Sequence, residues 1–192
     1  MPLLSALRLT TKALRSPARY GGVMSSPRRR GSDGVRPEAG ASTPSLRHRI
    51  MAGVSPGVQL RVRFPVDDIE LSELHGLAFD SPGATCQPWA ARLARHSLTW
   101  VGAFSDTAGE ELVGFVHLAW DGGSHAFVLD TAVHPAHQGH SIGRDLVRAA
   151  AAEARQAGCT WLHVDYEPQL SRFYRDVCGF QHTEAGLLDL SR

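Results

Sequence analysis

The sequence predicts an α/β (α+β) domain. Two observations carry this expectation. From residue 58 onward, short stretches with period-two alternation and longer ones with apolar residues three and four apart follow in the order β-α-α-β-β-β-α-β-α-β. A hydrophobic fraction of 43% beside 20% charged residues is that of a globular chain, and 192 residues allow one ordinary domain plus an appendage.

Residues 58–64 alternate and read as a strand. Asp67 or Asp68 then caps a helix over 69–79, whose inward stripe is Leu71, Leu74, Leu77 and Ala78. After turn chemistry at 81–85, a second helix over 88–96 turns Trp89 and Leu93 inward. Strands at 98–104 and 112–120 are joined by a polar hairpin around 106–110. Asp121-Gly122-Gly123 is a tight turn into a strand at 126–133. An alanine-rich helix covers 142–157 and stops at Gly158. A strand at 161–166, a helix at 170–177 ended by Gly179, and a last strand at 180–190 complete the series.

Residues 1–57 are a different kind of polypeptide. They are rich in Pro, Gly, Ser and Arg and lack hydrophobic periodicity, which predicts a disordered basic extension ahead of a domain at 58–192. Ten Lys+Arg against Asp33 and Glu38 give residues 1–50 a charge of +8, whereas ten basic and seventeen acidic residues leave −7 on the rest. The extension has the profile of an organelle transit peptide, but a translation start at Met24 or Met51 is the preferred account. An acidic domain favours a cationic substrate over nucleic acid. No run reaches the ~18 apolar residues of a membrane span. Three cysteines, Cys86, Cys159 and Cys178, cannot all pair, so a reducing compartment, the cytoplasm, is expected.

The most informative stretch runs from Val128 to Val147: a strand ending at Val133, a short loop, Gln138-Gly-His-Ser-Ile-Gly143-Arg144, then a long helix. Free N–H groups at a helix start favour an anion such as a pyrophosphate, and small residues let it approach the backbone. An ordinary strand-loop-helix connection has the same spacing. The segment resembles the Arg/Gln-x-x-Gly-x-Gly/Ala signature of the GNAT superfamily of acetyl-CoA-dependent N-acetyltransferases. Gln138 and Gly143 match it, with Ser141 where glycine is usual and able to cap the helix through its hydroxyl. Residues 161–180 are similar to the family's second half: Tyr174, Gly179 and Phe180 fall in register, while Glu167 and Leu170 replace the usual asparagine and alanine.

The resemblance implies the GNAT fold, a single mixed and mostly antiparallel sheet flanked by helices, with splayed central strands. It implies acetyl-CoA as cosubstrate, its pyrophosphate on the amides of Gln138, Gly139, His140, Ser141, Ile142, Gly143 and Arg144, and its pantetheine arm along Ala132 and Val133. The reaction implied is direct transfer of acetyl to a primary amine in a ternary complex. The Val133 N–H would hold the thioester carbonyl, a donor typically worth ~3–4 kcal/mol. Tyr174 would be the general acid for the departing thiolate, while Glu167 or Asp130 would serve as base or attract an ammonium. Asp165 shares Glu167's face on a regular strand.

His134, His137 and His140 form HxxHxxH, but Pro135 and Gly139 argue for a loop, so no metal site is expected and His140 is placed near the phosphate. Cys178 reads as a packing residue and the four tryptophans as core, with Trp89 and Trp120 near the acceptor groove. The expected partner is a small-molecule or peptide amine, with no nucleic acid or membrane, and the chain a monomer or homodimer. Two other functions remain open: a protein lysine or N-terminal acetyltransferase, and a non-catalytic acyl-CoA sensor.

Overall fold

The longest apolar stretches become the centre of one six-stranded sheet. The computed structural model describes residues 49–51, 55–81, 83, 85–106 and 109–190. Strands β1 (Arg49–Met51), β2 (Val58–Val62), β3 (Ser97–Ser105), β4 (Leu112–Trp120), β5 (His125–Val133) and β6 (Trp161–Val164) lie side by side in chain order. Every neighbouring pair is antiparallel except β5 and β6. That parallel pair needs a crossover, supplied by helix α3 (Ile142–Gln156). Among the described residues no helix is long and apolar enough to cross a membrane.

Helices α1 (Asp68–Ala78) and α2 (Trp89–His96) cover one face of the sheet and α3 the other. Asp67 caps α1, accepting from the Ile69 and Glu70 amides, while Asp68 takes the Ala90 amide of α2. The two aspartates that compete for the cap in the sequence thus divide the work. Leu71, Trp89 and Leu93 are buried with Phe115 beneath these helices. Burial of each such side chain contributes about 1.5–3 kcal/mol. The Trp89 indole N–H donates to Ser72 Oγ, which removes the cost of hiding it. Leu77, expected on the inward stripe, is 42% exposed. On the other face Leu146, Ala149 and Ala150 of α3 are buried against the sheet. Gly158 ends α3 at φ 92, and the Cys159 amide reaches back to the Ala154 carbonyl.

The structure corrects the expected elements in four places. The sheet starts at β1, inside the segment expected to be disordered, and Ser55 is buried with its N–H and hydroxyl donating to Asp145. A three-residue strand leaves no periodicity to read. No strand forms at 180–190: that stretch is irregular and exposed, and β6 supplies only four residues as a template. The expected helix at 170–177 is a 3-10 turn, Pro168–Leu170, followed by a π-helix, Arg172–Val177. Finally, Trp120 and Trp161 are 43% and 64% exposed and do not join the core.

Candidate active site

The site originates in an interrupted pairing. β5 and β6 pair from His125↔Trp161 to Val128↔Val164 and no further, because β6 ends there while β5 runs on to Val133. The expected splay is therefore present. On its other edge β5 stays bound to β4. The His134 N–H donates to the Val113 carbonyl, which makes Gly114↔Val133 a pair that exchanges no hydrogen bonds of its own. The N–H and C=O of Val133 consequently point away from β4 and into the gap. The carbonyl is taken by Gln138 Nε2 at 3.1 Å, which holds the loop against the strand.

Beyond that carbonyl the chain makes a 3-10 turn, Pro135–His137, and enters α3. Its first intrahelical bond is Asp145 N–H to Ser141 C=O, so the amides of Ile142, Gly143 and Arg144 have no intrahelical acceptor. A cavity of about 110 Å³ opens at this corner, lined by Val133, Gln138, Gly139, Ser141 and Gly143 among others. A Cβ on Gly139, at φ 81, would meet nothing within 4 Å, leaving the space in front of the amides clear. Open space, free amides and a helix N-terminus suit a diphosphate. Gly143 has a further duty, since its Cβ would come within 3.2 Å of the Phe173 ring. It permits packing of the π-helix on α3 as well as approach of a ligand.

Three residues of the expected cofactor set have side-chain surroundings that the sequence did not predict. Ser141 is left-handed at φ 65 and makes no capping bond with its side chain, so the expected hydroxyl cap is absent. Such a conformation costs a non-glycine residue about 1–2 kcal/mol. His140 is exposed, its ring facing the His137 carbonyl at 3.4 Å, and His137 lines the cavity in its place. The Ala132 side chain is buried on the α1/α2 face. Arg144 is held by Asp145 through Nε at 2.9 Å, so its contribution to the corner is its amide.

Tyr174 is buried beneath the gap. Its ring stacks on Tyr166 at 5.0 Å and meets Phe173 and Phe180 edge-on. Burial pushes the phenol up, partly offset by the Thr131 hydroxyl of β5. That hydroxyl faces the phenol without a fully formed hydrogen bond and has no other partner among the described residues. A phenol so placed is protonated at neutral pH. Burial likewise pushes the Cys178 thiol up to about 11, in keeping with a packing residue.

Asp130, the residue before Thr131, faces the opposite side. It lies in a bulge where β4 and β5 lose register and is left-handed at φ 50. His117 Nε2 of β4 lies 2.9 Å from one carboxylate oxygen and His75 Nε2 of α1 3.1 Å from the other. Arg92 of α2 approaches at 3.5 Å while its guanidinium covers the Trp89 ring at 3.8 Å. Burial would raise the Asp130 carboxyl, but the hydrogen bonds from His117 and His75, joined by their charge at the acid pH where a carboxyl titrates, reverse this and hold it far below the usual carboxylate range. A carboxylate so firmly ionised is a poor base, and that expectation for Asp130 does not suit its surroundings. His75, Arg92, Ser97 and His117 were missing from the sequence reading, because a histidine on a helix or strand carries no signal of what it meets across the fold.

Glu167, the other expected base, sits just past β6 before the 3-10 turn and accepts from Gln169 Nε2. With Asp165, Tyr166 and Phe180 it lines an open groove beside β6. The three expected catalytic side chains are thus spread over two faces of β5 and the end of β6.

Comparison with known proteins agrees with this geometry. The profile of the acetyltransferase (GNAT) family matches residues 69–180, more than half of the chain. An uncharacterized N-acetyltransferase of Porphyra purpurea is 30% identical over 113 residues, 57% of this chain and 64% of that protein. A chloroplastic serotonin N-acetyltransferase of Oryza sativa subsp. japonica is 31% identical over 90 residues, 46% of this chain and 44% of that protein. The matches thus span less than two thirds of these relatives. An acetyltransferase of Trypanosoma brucei superposes with a TM-score of 0.57 at 22% identity, covering 69% of this chain and 99% of its own. A GNAT-family acetyltransferase of Streptococcus pneumoniae gives 0.54 at 24%, covering 70% and 98%; at these identities the likeness is one of fold. With the profile match, the splayed strands and the helix-start corner in agreement, the chain belongs to the acetyltransferase (GNAT) family.

Proposed function

We propose that the protein transfers the acetyl group of acetyl-CoA directly to a primary amine. The observation that carries this reading is the Val133 main chain, turned into the gap between β5 and β6 beside the free amides of α3. Acetyl-CoA supplies an activated acyl group on a thiol leaving group. The amides of Ile142, Gly143 and Arg144, with the clear space at Gly139, would hold its diphosphate. The Val133 N–H would stabilise charge developing on the carbonyl oxygen, worth ~3–4 kcal/mol if well aimed. Tyr174 would protonate the departing sulfur, a role supported by its neutral phenol. Glu167 would act on the acceptor side, attracting the ammonium. The catalytic reading is preferred over an acyl-CoA sensor because a sensor has no use for a neutral phenol at the strand gap.

The rice relative's name favours a small aromatic amine as acceptor over a protein lysine or N-terminus. Phe127 and Leu129, each 40% exposed on β5, suit an apolar acceptor. The same name makes a plastid a rival to the cytoplasm, and a fluorescent protein fused behind residues 1–57 would decide between them. Thiol release by the full-length protein with acetyl-CoA and a panel of aryl and alkyl amines tests the whole reading. Turnover on at least one amine is expected; binding of acetyl-CoA with no turnover on any amine or peptide would favour the sensor.

A further inference from the structure

We infer that His75 is the proton acceptor for the incoming amine and that Asp130 positions it, within a five-residue array of Ser97, His117, Asp130, His75 and Arg92. The inference rests on the acetyl-transfer reading above and identifies the base in that site.

The first support is placement. Asp130 and Thr131 are consecutive on β5, just beyond the last residue paired with β6. Thr131 faces the Tyr174 phenol, and Asp130 faces the opposite side toward α1 and α2. The proton donor for sulfur and the histidine array thus flank the same point of the gap. A transfer that removes a proton from nitrogen and adds one to sulfur needs this division.

The second support is proton bookkeeping within the array. Ionised Asp130 can only accept, so the imidazole nitrogens facing it carry hydrogen: Nε2 of His117 at 2.9 Å and Nε2 of His75 at 3.1 Å. Each histidine is then left with a basic Nδ1. That of His117 accepts from Ser97 Oγ at 2.9 Å, and the ring is almost entirely enclosed, at 7% side-chain exposure. That of His75 has no hydrogen-bond partner among the described residues, and its side chain is 18% exposed. His75 alone combines an oriented ring with an available lone pair. The rings of Phe79 and Trp89, at 4.4 and 5.1 Å, fix its plane.

The charged and titratable groups facing His75 are Asp130 from β5, His117 from β4 and Arg92 from α2. Asp130 and Arg92 together are neutral, so the array does not hold the acceptor as an ammonium, which cannot attack. In the reaction the amine nitrogen bonds to the acyl carbon while its proton passes to His75 Nδ1. The C–S bond breaks with its electron pair on sulfur, which takes the Tyr174 proton. Imidazolium and phenolate then return to neutral by exchange of one proton through solvent, and the net products are the amide and CoA thiol.

Full-length His75→Gln, Asp130→Asn and Ser97→Ala variants, with wild type, test this through pH profiles of kcat/KM and histidine nitrogen NMR. Wild type is expected to show an acid limb that His75→Gln lacks, and both rings in the Nε2–H form. His75→Gln should lose roughly 100-fold near neutral pH, regain rate at high pH where free amine is abundant, and be rescued by added imidazole. Asp130→Asn should shift the acid limb and scramble the His75 tautomer, and Ser97→Ala should change both least. Unchanged acetyl-CoA affinity in His75→Gln shows that the fold is intact. If wild type turns over and His75→Gln matches it across the pH range, the base assignment is wrong while acetyl transfer stands. A wild type that binds acetyl-CoA yet acetylates no amine overturns the acetyl-transfer reading and the base with it.

Discussion

On the α3 side of β5 the groups available to a ligand are main-chain amides from one contiguous stretch, Val133 to Arg144. On the α1/α2 side they are side chains drawn from α1, α2, β3, β4 and β5. The first corner needs only a strand end, two permissive turns and a helix start, and tolerates many residue identities. The second exists only when five elements are correctly packed, and no local pattern links its members. On the proposed reading, a cosubstrate common to a family would be met by backbone, and an acceptor particular to one protein by side chains.

The division can be tested by changing one side at a time. The largest effect is expected from Tyr174→Phe, which removes the proposed proton donor between the two sides. Stopped-flow or thiol-release rates should fall roughly 100-fold, with acetyl-CoA affinity little changed. Rates equal to wild type would remove Tyr174 from the mechanism. On the cosubstrate side, Ser141→Asp places a carboxylate at an exposed position beside the amides. Calorimetry should show acetyl-CoA binding weakened about tenfold or more, equivalent to ~1.4 kcal/mol per decade, with melting temperature near that of wild type. Undiminished affinity would mean that the diphosphate binds elsewhere.

On the acceptor side the test is stability against pH. Asp130 is held below its unfolded value by His117 and His75, despite burial that acts the other way. Its contribution is therefore complete above the unfolded carboxylate range near ~3.9 and is lost progressively as pH falls from there through the much lower folded-state value. Wild type should melt several degrees above Asp130→Asn at pH 7, with the gap beginning to narrow only below about pH 4; a gap that stays constant through the acid range would contradict the ion-pair geometry. The smallest effect belongs to Ser141→Gly. Relief of the left-handed serine, less the entropy glycine adds to the unfolded chain, leaves about 0.5–1 kcal/mol of stabilisation. Chemical denaturation can resolve this, and a destabilised variant would show that the Ser141 side chain has a role its present contacts do not reveal.

Much of the frame was legible. The strands at 112–120 and 126–133, the Asp121 turn, a cap at one of Asp67 and Asp68, the stop at Gly158 and the glycines about Ile142 each act over a few residues, and each is where the pattern placed it. Expectations failed where the outcome depends on a distant partner. β1 forms because β2 offers it an edge, residues 180–190 form no strand beside a four-residue β6, and the expected helix around Tyr174 settles as a π-helix over α3.

Residue order alone was enough for the family, the helix-start corner and the candidacy of Tyr174, because backbone amides and glycine conformations are properties of short segments. Folding was needed to convert Asp130 from a candidate base into an anchor and to bring His75 and His117 to it from 55 and 13 residues away. The reason is physical: a carboxylate's proton affinity is set by what surrounds it in space, and no local pattern encodes those neighbours.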